Sequence, residues 1–368
     1  MKNILNLILV LAIVCGVYSC SDWTEVEQAR HTDLTEYGGN KSPEFFQNLR
    51  EYKKSEHPIA FGWFGGWTGG EASMQTSLRG LPDSVDMVSI WGGWQNLSEA
   101  KKKDLKYVQE VKGTKVLMCF IVGGIGAQLT PKAVRDNWKE NGFKSEQDAV
   151  NAWWGWIDGS EEGYNQAIVN YANAICDTVL KYNYDGFDLD LEPNYGSPGN
   201  IASYPEKLTI LLTTMRERLG MRSETGKILA VDGEPTWLEP EMGAIMDYYI
   251  YQAYSATGES SLNGKVKGII NRFGEIVPDH NELARRVIVT ENFEKYAKEG
   301  GANFTDRFGN KMKSVEGMAR WTPIIDGVEY PKGGVGTYHM EYEYVVNDHE
   351  GTYPFLRNAI RIMNPPIK

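Results

Sequence analysis

A single (β/α)8 barrel of the TIM type, in the α/β class, is the fold that the sequence predicts, on three observations. Eight short β-rich runs recur along the 368 residues, helical periodicity fills most of the gaps between them, and no linker rich in Pro, Gly or Ser divides the chain. Strand–helix alternation of this kind requires right-handed crossovers and a parallel sheet, and eight such units over roughly 300 residues match a closed barrel better than an open sheet.

The elements follow in chain order. Residues 1–19 read as a secretory signal: Lys2 supplies the positive start, and the apolar run 4–14 is too short to span a bilayer as a mature helix. The run ends Val17-Tyr18-Ser19-Cys20, similar to a bacterial lipobox, so Cys20 is the expected lipidation site and the membrane is reached through an N-terminal lipid anchor. Residues 20–56 are expected to form a polar tether and a leading helix that starts at Ser42-Pro43-Glu44, with Ser as cap and Pro in the first turn. The barrel is expected over 57–368. Its strands are predicted at 58–67, 85–94, 114–124, 184–192, 227–235, 246–255, 286–294 and 333–344, and the clearest helices at 97–112, 161–182, 204–219, 265–273 and 353–363.

Composition narrows the function classes. With 38 Lys+Arg against 49 Asp+Glu and a net charge of −11, the chain has no basic run able to neutralise several phosphates, so nucleic acid is not an expected partner. The proportions, 42% hydrophobic and 24% charged, are those of a globular protein rather than a disordered or collagen-like one. No CxxC or HExxH spacing occurs among five His and four Cys, so neither a metal nor another cofactor is expected. Cys119 and Cys176 are read as buried free thiols, with a disulfide between them as the alternative. The chain is expected to act as a monomer.

Aromatic residues make up 12% of the chain, including 11 Trp, which suits surfaces that stack on rings. Trp63, Trp67, Trp91, Trp94 and Trp237 fall at or just past predicted strand ends, which is the mouth of such a barrel, and are candidate substrate contacts. Asn292, Asp232 and Glu234, near other strand ends, are weaker candidates. The irregular stretch 125–160 carries Trp138, Trp153, Trp154 and Trp156, which either line a cleft or pack the insertion onto the barrel.

The most informative run is Tyr184-Asp185-Gly186-Phe187-Asp188-Leu189-Asp190-Leu191-Glu192. Side chains alternate along a strand, so Phe187, Leu189 and Leu191 share one face and Asp188, Asp190 and Glu192 the other. The apolar face must meet the helices, which sends three carboxylates up the barrel interior. Like charges in that interior cannot all ionise, so a proton is shared and an acid is available at the strand tip. A general acid supported by a second carboxylate is what glycosidic cleavage requires.

Asp185-x-x-Asp188-x-Asp190-x-Glu192 resembles the DxxDxDxE signature of glycoside hydrolase family 18, on the fourth strand where that family carries it. The resemblance covers about residues 57–368. It implies substrate-assisted retaining hydrolysis: Glu192 protonates the leaving oxygen, the substrate's 2-acetamido carbonyl attacks the anomeric carbon, Asp190 holds the acetamido N–H, and Asp188 shares a proton with Asp190. Asp185, of opposite parity, is left as structural support. On the sixth strand, Tyr251-Gln252-Ala253-Tyr254 resembles the Gln-x-Tyr form of endoglycosidases acting on N-linked glycans rather than the Met-x-Tyr-Asp form of chitinases. Gln252 and Tyr254 are then expected at the reacting sugar. The third strand keeps Gly123-Gly124 of the family's Ser-x-Gly-Gly but lacks the serine. The eighth carries no tryptophan, and the parity of Tyr338 to Tyr342 is ambiguous. The function this implies is an endo-β-N-acetylglucosaminidase acting on N-linked glycans or glycoproteins, held in the cell envelope and exposed on the outer membrane. A chitinase is the alternative within the class, and a non-catalytic surface glycan-binding protein the alternative outside it.

Overall fold

The computed structural model describes residues 41–194 and 199–365; the signal segment 1–19, Cys20 and most of the tether lie outside the described residues. Eight parallel strands close a barrel: β1 (Ile59–Phe64), β2 (Met87–Ile90), β3 (Lys115–Ile121), β4 (Gly186–Leu191), β5 (Ile228–Gly233), β6 (Tyr248–Gln252), β7 (Val287–Asn292) and β8 (Gly334–Tyr338). Each pairs with its sequence neighbour, and β8 returns to β1. The single (β/α)8 barrel read from the sequence is the fold.

Residue parity sorts the barrel into two cores. Inward go Phe61, Trp63, Met87, Leu117, Cys119, Ala230, Ile250 and Ile288, which form the interior cluster. Outward go Phe187, Leu189 and Leu191 of β4 with Leu229, Val231 and Tyr249 of the next two strands, against the helices. The largest of these helices, Glu161–Lys181, is capped by Ser160 and buries Ile168, Tyr171, Ile175, Cys176 and Val179. β8 carries glycine on its inward face because the first strand crowds it: a Cβ on Gly336 would lie 2.6 Å from the Phe61 carbonyl oxygen and 2.8 Å from its ring.

Two boundaries differ from expectation. The leading helix, Pro43–Lys54, belongs to the barrel unit, which begins at Ser42 rather than at residue 57. Arg50 donates to the Val111 carbonyl at 2.8 Å and Lys53 to Thr114 Oγ1 at 2.9 Å, so the helix is tied to the chain ends around β2 and β3. The predicted eighth strand stops at Tyr338. His339 takes a left-handed backbone conformation, φ 54°, and a tight helical turn over Met340–Glu343 follows. Two small antiparallel hairpins, pairing 303–305 with 311–313 and 324–325 with 328–329, decorate the stretch between β7 and β8. Cys119 and Cys176 are both buried free thiols, one facing the barrel interior and one on the outer helix. Among the described residues no helix is long and apolar enough to cross a membrane.

Candidate active site

The upper barrel interior holds four carboxylates. Asp188 and Asp190 rise along β4, Glu192 follows at its tip, and Asp232 comes from the inward face of β5, in register with Asp190. Asp188 is fully buried; its Oδ2 accepts from Trp63 Nε1 at 3.0 Å and Ser89 Oγ at 2.7 Å. Burial raises its pKa to about 6, with the Ser89 and Trp63 bonds opposing. Asp190 is raised to about 8, first by burial and then by the charges of Glu192 and Asp188. Asp232 is pushed well above the carboxylate range, again by burial first and by Asp190 and Asp188 next. Burial thus raises all three acids above free carboxylates, so protons stay in this space to a higher pH than exposed acids would keep them.

Glu192 sits above them. Its Oε1 accepts from Gln252 Nε2 at 2.6 Å, and the same nitrogen donates to Asp232 Oδ1 at 3.0 Å, so one amide spans the strand-tip acid and the β5 acid. Asp190 Oδ1 is buried with no hydrogen bond among the described residues. A cavity of about 430 Å³ opens over these groups. Trp63, Trp91 and Tyr338 wall it from the β8-β1-β2 side, and Asp190, Glu192, Asp232, Gln252 and Tyr254 from the β4-β5-β6 side; no lysine or arginine is among its described lining residues. Tyr254 and Tyr338 stack at 6.1 Å, and Tyr338 lies 5.6 Å from Trp91. Burial raises the Tyr254 hydroxyl far above the usual phenol range, so it stays a hydrogen-bond donor. Cys119 Sγ, Asp188 and Asp232 form the one group among the described residues close enough to share a cation. All three are pushed toward their protonated forms by burial, whereas metal ligation needs them deprotonated.

Residues 24–362 match the model of glycoside hydrolase family 18, BT1044-like. The chain belongs to glycoside hydrolase family 18. It is 25% identical over 342 residues to endo-beta-N-acetylglucosaminidase F2 of Elizabethkingia meningoseptica, covering 86% of this chain and 85% of that protein. The solved structure of a Glu-to-Gln variant of BT1044 is 35% identical, with a TM-score of 0.73 and coverage of 88% of this chain and 93% of that one. An endo-beta-N-acetylglucosaminidase from Cordyceps militaris shares the fold at 21% identity, with a TM-score of 0.57 and coverage of 88% and 97%. The chain is therefore a glycoside hydrolase.

Within this family 18 barrel the structure brings Asp188, Asp190, Glu192, Gln252, Tyr254, Trp63 and Trp91 to one place. Trp63 has two roles there, lining the cavity and donating to Asp188. Trp237 lines a neighbouring cavity, its Nε1 spent on the Ala202 carbonyl at 2.9 Å. Trp67 and Trp94 are corrections: both are buried in the outer core and line no described pocket. Trp67 donates to Asp104 at 2.9 Å and Trp94 stacks on Phe120 at 5.3 Å, because the loops after β1 and β2 fold these rings back against the helices. Asn292 has inward parity at the end of β7 but is not among the cavity's lining residues. Asp185 lies at the lower end of β4, accepting from Val116 N at 2.9 Å and Gln109 Nε2 at 2.8 Å. In the insertion, Trp154 donates to Thr130 at 2.8 Å and Trp156 packs on Tyr164, whereas Trp153 is 57% exposed.

Sequence reasoning missed Ser89. Its hydroxyl donates to Asp188 from β2, where Met87, Ser89 and Trp91 share the inward face; counting parity from Trp91 finds it. It also left Tyr338 unassigned, since no alternation marks the turn at His339.

Proposed function

We propose that the chain is an endo-acting retaining glycosidase that cleaves the GlcNAc-β1,4-GlcNAc core of N-linked glycans by substrate-assisted catalysis. The observation that carries the reading is the Gln252–Glu192 hydrogen bond at 2.6 Å beside the unpartnered buried oxygen of Asp190, in one cavity with Tyr254. The curated relative named endo-beta-N-acetylglucosaminidase F2 supports the same substrate class. In this reading the Asp190 oxygen accepts the N–H of a 2-acetamido group and Tyr254 donates to its carbonyl. That carbonyl oxygen attacks the anomeric carbon as the glycosidic C–O bond breaks, and the departing oxygen takes the proton from Glu192. Water then adds to the same carbon from the face the leaving group vacated; its proton returns to Glu192, the acetamide is restored and configuration is retained. A protonated neighbour, Asp188 or Asp232, lets Asp190 carry the balancing negative charge without a third charge beside it.

Incubation with glycoproteins bearing defined high-mannose and complex glycans, followed by mass measurement, tests the reading. The expected product is protein retaining one N-acetylglucosamine per site. Glu192→Gln is expected to lower cleavage by about 10²–10⁴-fold while glycan binding persists. Undiminished cleavage by the variant refutes the acid; preferential cleavage of chitin oligosaccharides moves the chain to the chitinases; binding without cleavage by wild type makes it a glycan-binding protein. We further propose that it is an envelope lipoprotein anchored at Cys20 and exposed on the outer membrane, on the lipobox-like Val17-Tyr18-Ser19-Cys20. Cys20→Ser is expected to shift it from membrane to soluble fractions, and unchanged membrane fractionation counts against the anchor.

A further inference from the structure

On the helix-facing side of β7 and β8 the lower residues are apolar: Val287, Val289 and Val335 pack into the outer core. The next residues of that parity are Glu291 and Thr337, which lie opposite each other across the two strands and are fully buried. Four donors compensate the burial of Glu291. Its Oε1 accepts from Ser255 N at 2.8 Å and Asn292 N at 2.7 Å, and its Oε2 from Ala302 N at 3.4 Å and from the Ser314 hydroxyl, at the start of the helix Ser314–Arg320. One carboxyl group thus ties the loop after β6 to the end of β7 and to a helix before β8.

Of these contacts, the one to Ser255 reaches the active site. Ser255 follows Tyr254 directly and takes a left-handed backbone conformation, φ 58°, which a serine keeps only where its surroundings hold it. Two bonds hold it: its amide donates to Glu291, and its hydroxyl bonds the Tyr296 hydroxyl at 3.1 Å, at the end of the short helix Phe293–Tyr296 after β7. The Tyr296 bond is exposed and competes with water, whereas the Glu291 carboxyl is sealed from it. One residue back, the Tyr254 ring lines the active-site cavity and stacks on Tyr338 at 6.1 Å. Where its hydroxyl points depends on the backbone that carries it, and Glu291 fixes that backbone from the far side of the sheet.

We propose that Glu291 is a positioning residue for the reaction: by holding the Ser255 amide it sets where Tyr254 presents its hydroxyl to the acetamido carbonyl of the substrate. The proposal rests on the endoglycosidase reading above, which gives Tyr254 that task, and adds to it a residue that touches no substrate. An apolar side chain of similar length would fill the same layer. What it would lose is the hold on Ser255, so a role in packing and a role in positioning are separable by substitution.

A double-mutant cycle on a glycopeptide bearing one defined N-glycan tests it, with Glu291→Met, Tyr254→Phe and the double variant. Glu291→Met is expected to lower kcat at least tenfold with KM changed less than threefold, and to lower it less than twofold further once the Tyr254 hydroxyl is gone. Glu291→Gln is expected to recover most of kcat, since its amide oxygen can face the Ser255 and Asn292 amides while its NH2 donates to the Ser314 hydroxyl. Ser314→Ala, which removes a donor to the same carboxyl but leaves the Ser255 bond, is expected to lower the denaturation midpoint and keep kcat within twofold. Equal falls from Glu291→Met in both backgrounds, or a fall in kcat from Ser314→Ala as large as from Glu291→Met, overturn the proposal. If Glu291→Met does not fold, Glu291→Asp, a carboxylate one methylene shorter, takes its place in the cycle with the same outcomes. A crystal structure of the variant gives a readout free of turnover: Tyr254 is expected to leave its stack on Tyr338, and an unmoved Tyr254 overturns the positioning role. Undiminished cleavage by Tyr254→Phe, or no cleavage by wild type, overturns the reading beneath the proposal and the proposal with it.

Discussion

Asp190 and Glu192 are carboxylates two residues apart on one strand face, and their surroundings suit them to different work. Asp190 lies deeper, raised to about 8 by burial and by its acidic neighbours, with one oxygen unspent. Glu192 stands at the mouth, bonded to Gln252. Asp190→Asn keeps the shape but removes the carboxylate that balances charge on the acetamide, and kcat is expected to drop by about 10²-fold or more with a small change in KM. Ser89 tests the lower support. Ser89→Ala removes one of the two donors to buried Asp188, and a loss of about 1–2 kcal/mol in urea unfolding is expected. The lost donor also pushes the Asp188 pKa further up, since that bond opposes the burial effect. Stability equal to wild type would mean that Asp188 draws no net support from β2.

The strand and the turn are the elements that decide which residues meet. On β4 strict alternation sends Leu189 outward into the helix-facing core and its acidic neighbours inward. Leu189→Ala is expected to cost about 2–5 kcal/mol, read from the denaturant midpoint, because its site is fully buried. At β8 the decisive element is the turn. His339 enters the left-handed region, its ring bonds Glu341 Oε1 at 2.7 Å, and Glu341 Oε2 accepts from Gly65 N at 3.0 Å, joining the ends of β8 and β1. That connection sits behind Trp91, whose ring meets His339 edge-on at 5.0 Å. Glu341→Ala leaves both partners unsatisfied, so a loss of about 1–3 kcal/mol is expected, with a raised KM as Trp91 loses its backing. An unchanged KM would separate this turn from substrate binding.

The whole molecule carries its acids as a pH-dependent burden. Asp188, Asp190, Asp247 and Glu343 all have folded-state pKa values raised mainly by burial, to about 6, 8, 6 and 8. A raised carboxyl contributes stability that is present below its unfolded value and lost as pH climbs through the folded one, so the fold weakens across the window from about 4 to 8. Lys332 and Lys53, lowered to about 7 and 8 by burial, act in the opposite sense, but only above their folded values. The denaturation midpoint is therefore expected to fall between pH 5 and 6.5, and Asp190→Asn to flatten that slope; a wild-type midpoint constant across this interval would contradict protonated acids in the barrel. The alternation of eight strand and helix runs and the parity of the β4 acids are written in the order of residues, because periods of 2 and 3.6 are local properties of the chain. By themselves they determined the closed barrel, the inward acids and the family likeness. Only tertiary structure decided that Ser89 of β2 supports Asp188, that Trp67 and Trp94 turn away into the outer core, and that Asp232 joins the acids through Gln252. Each of these depends on contact between residues far apart in the chain, set by barrel register and by how loops fold back, and no local period encodes that.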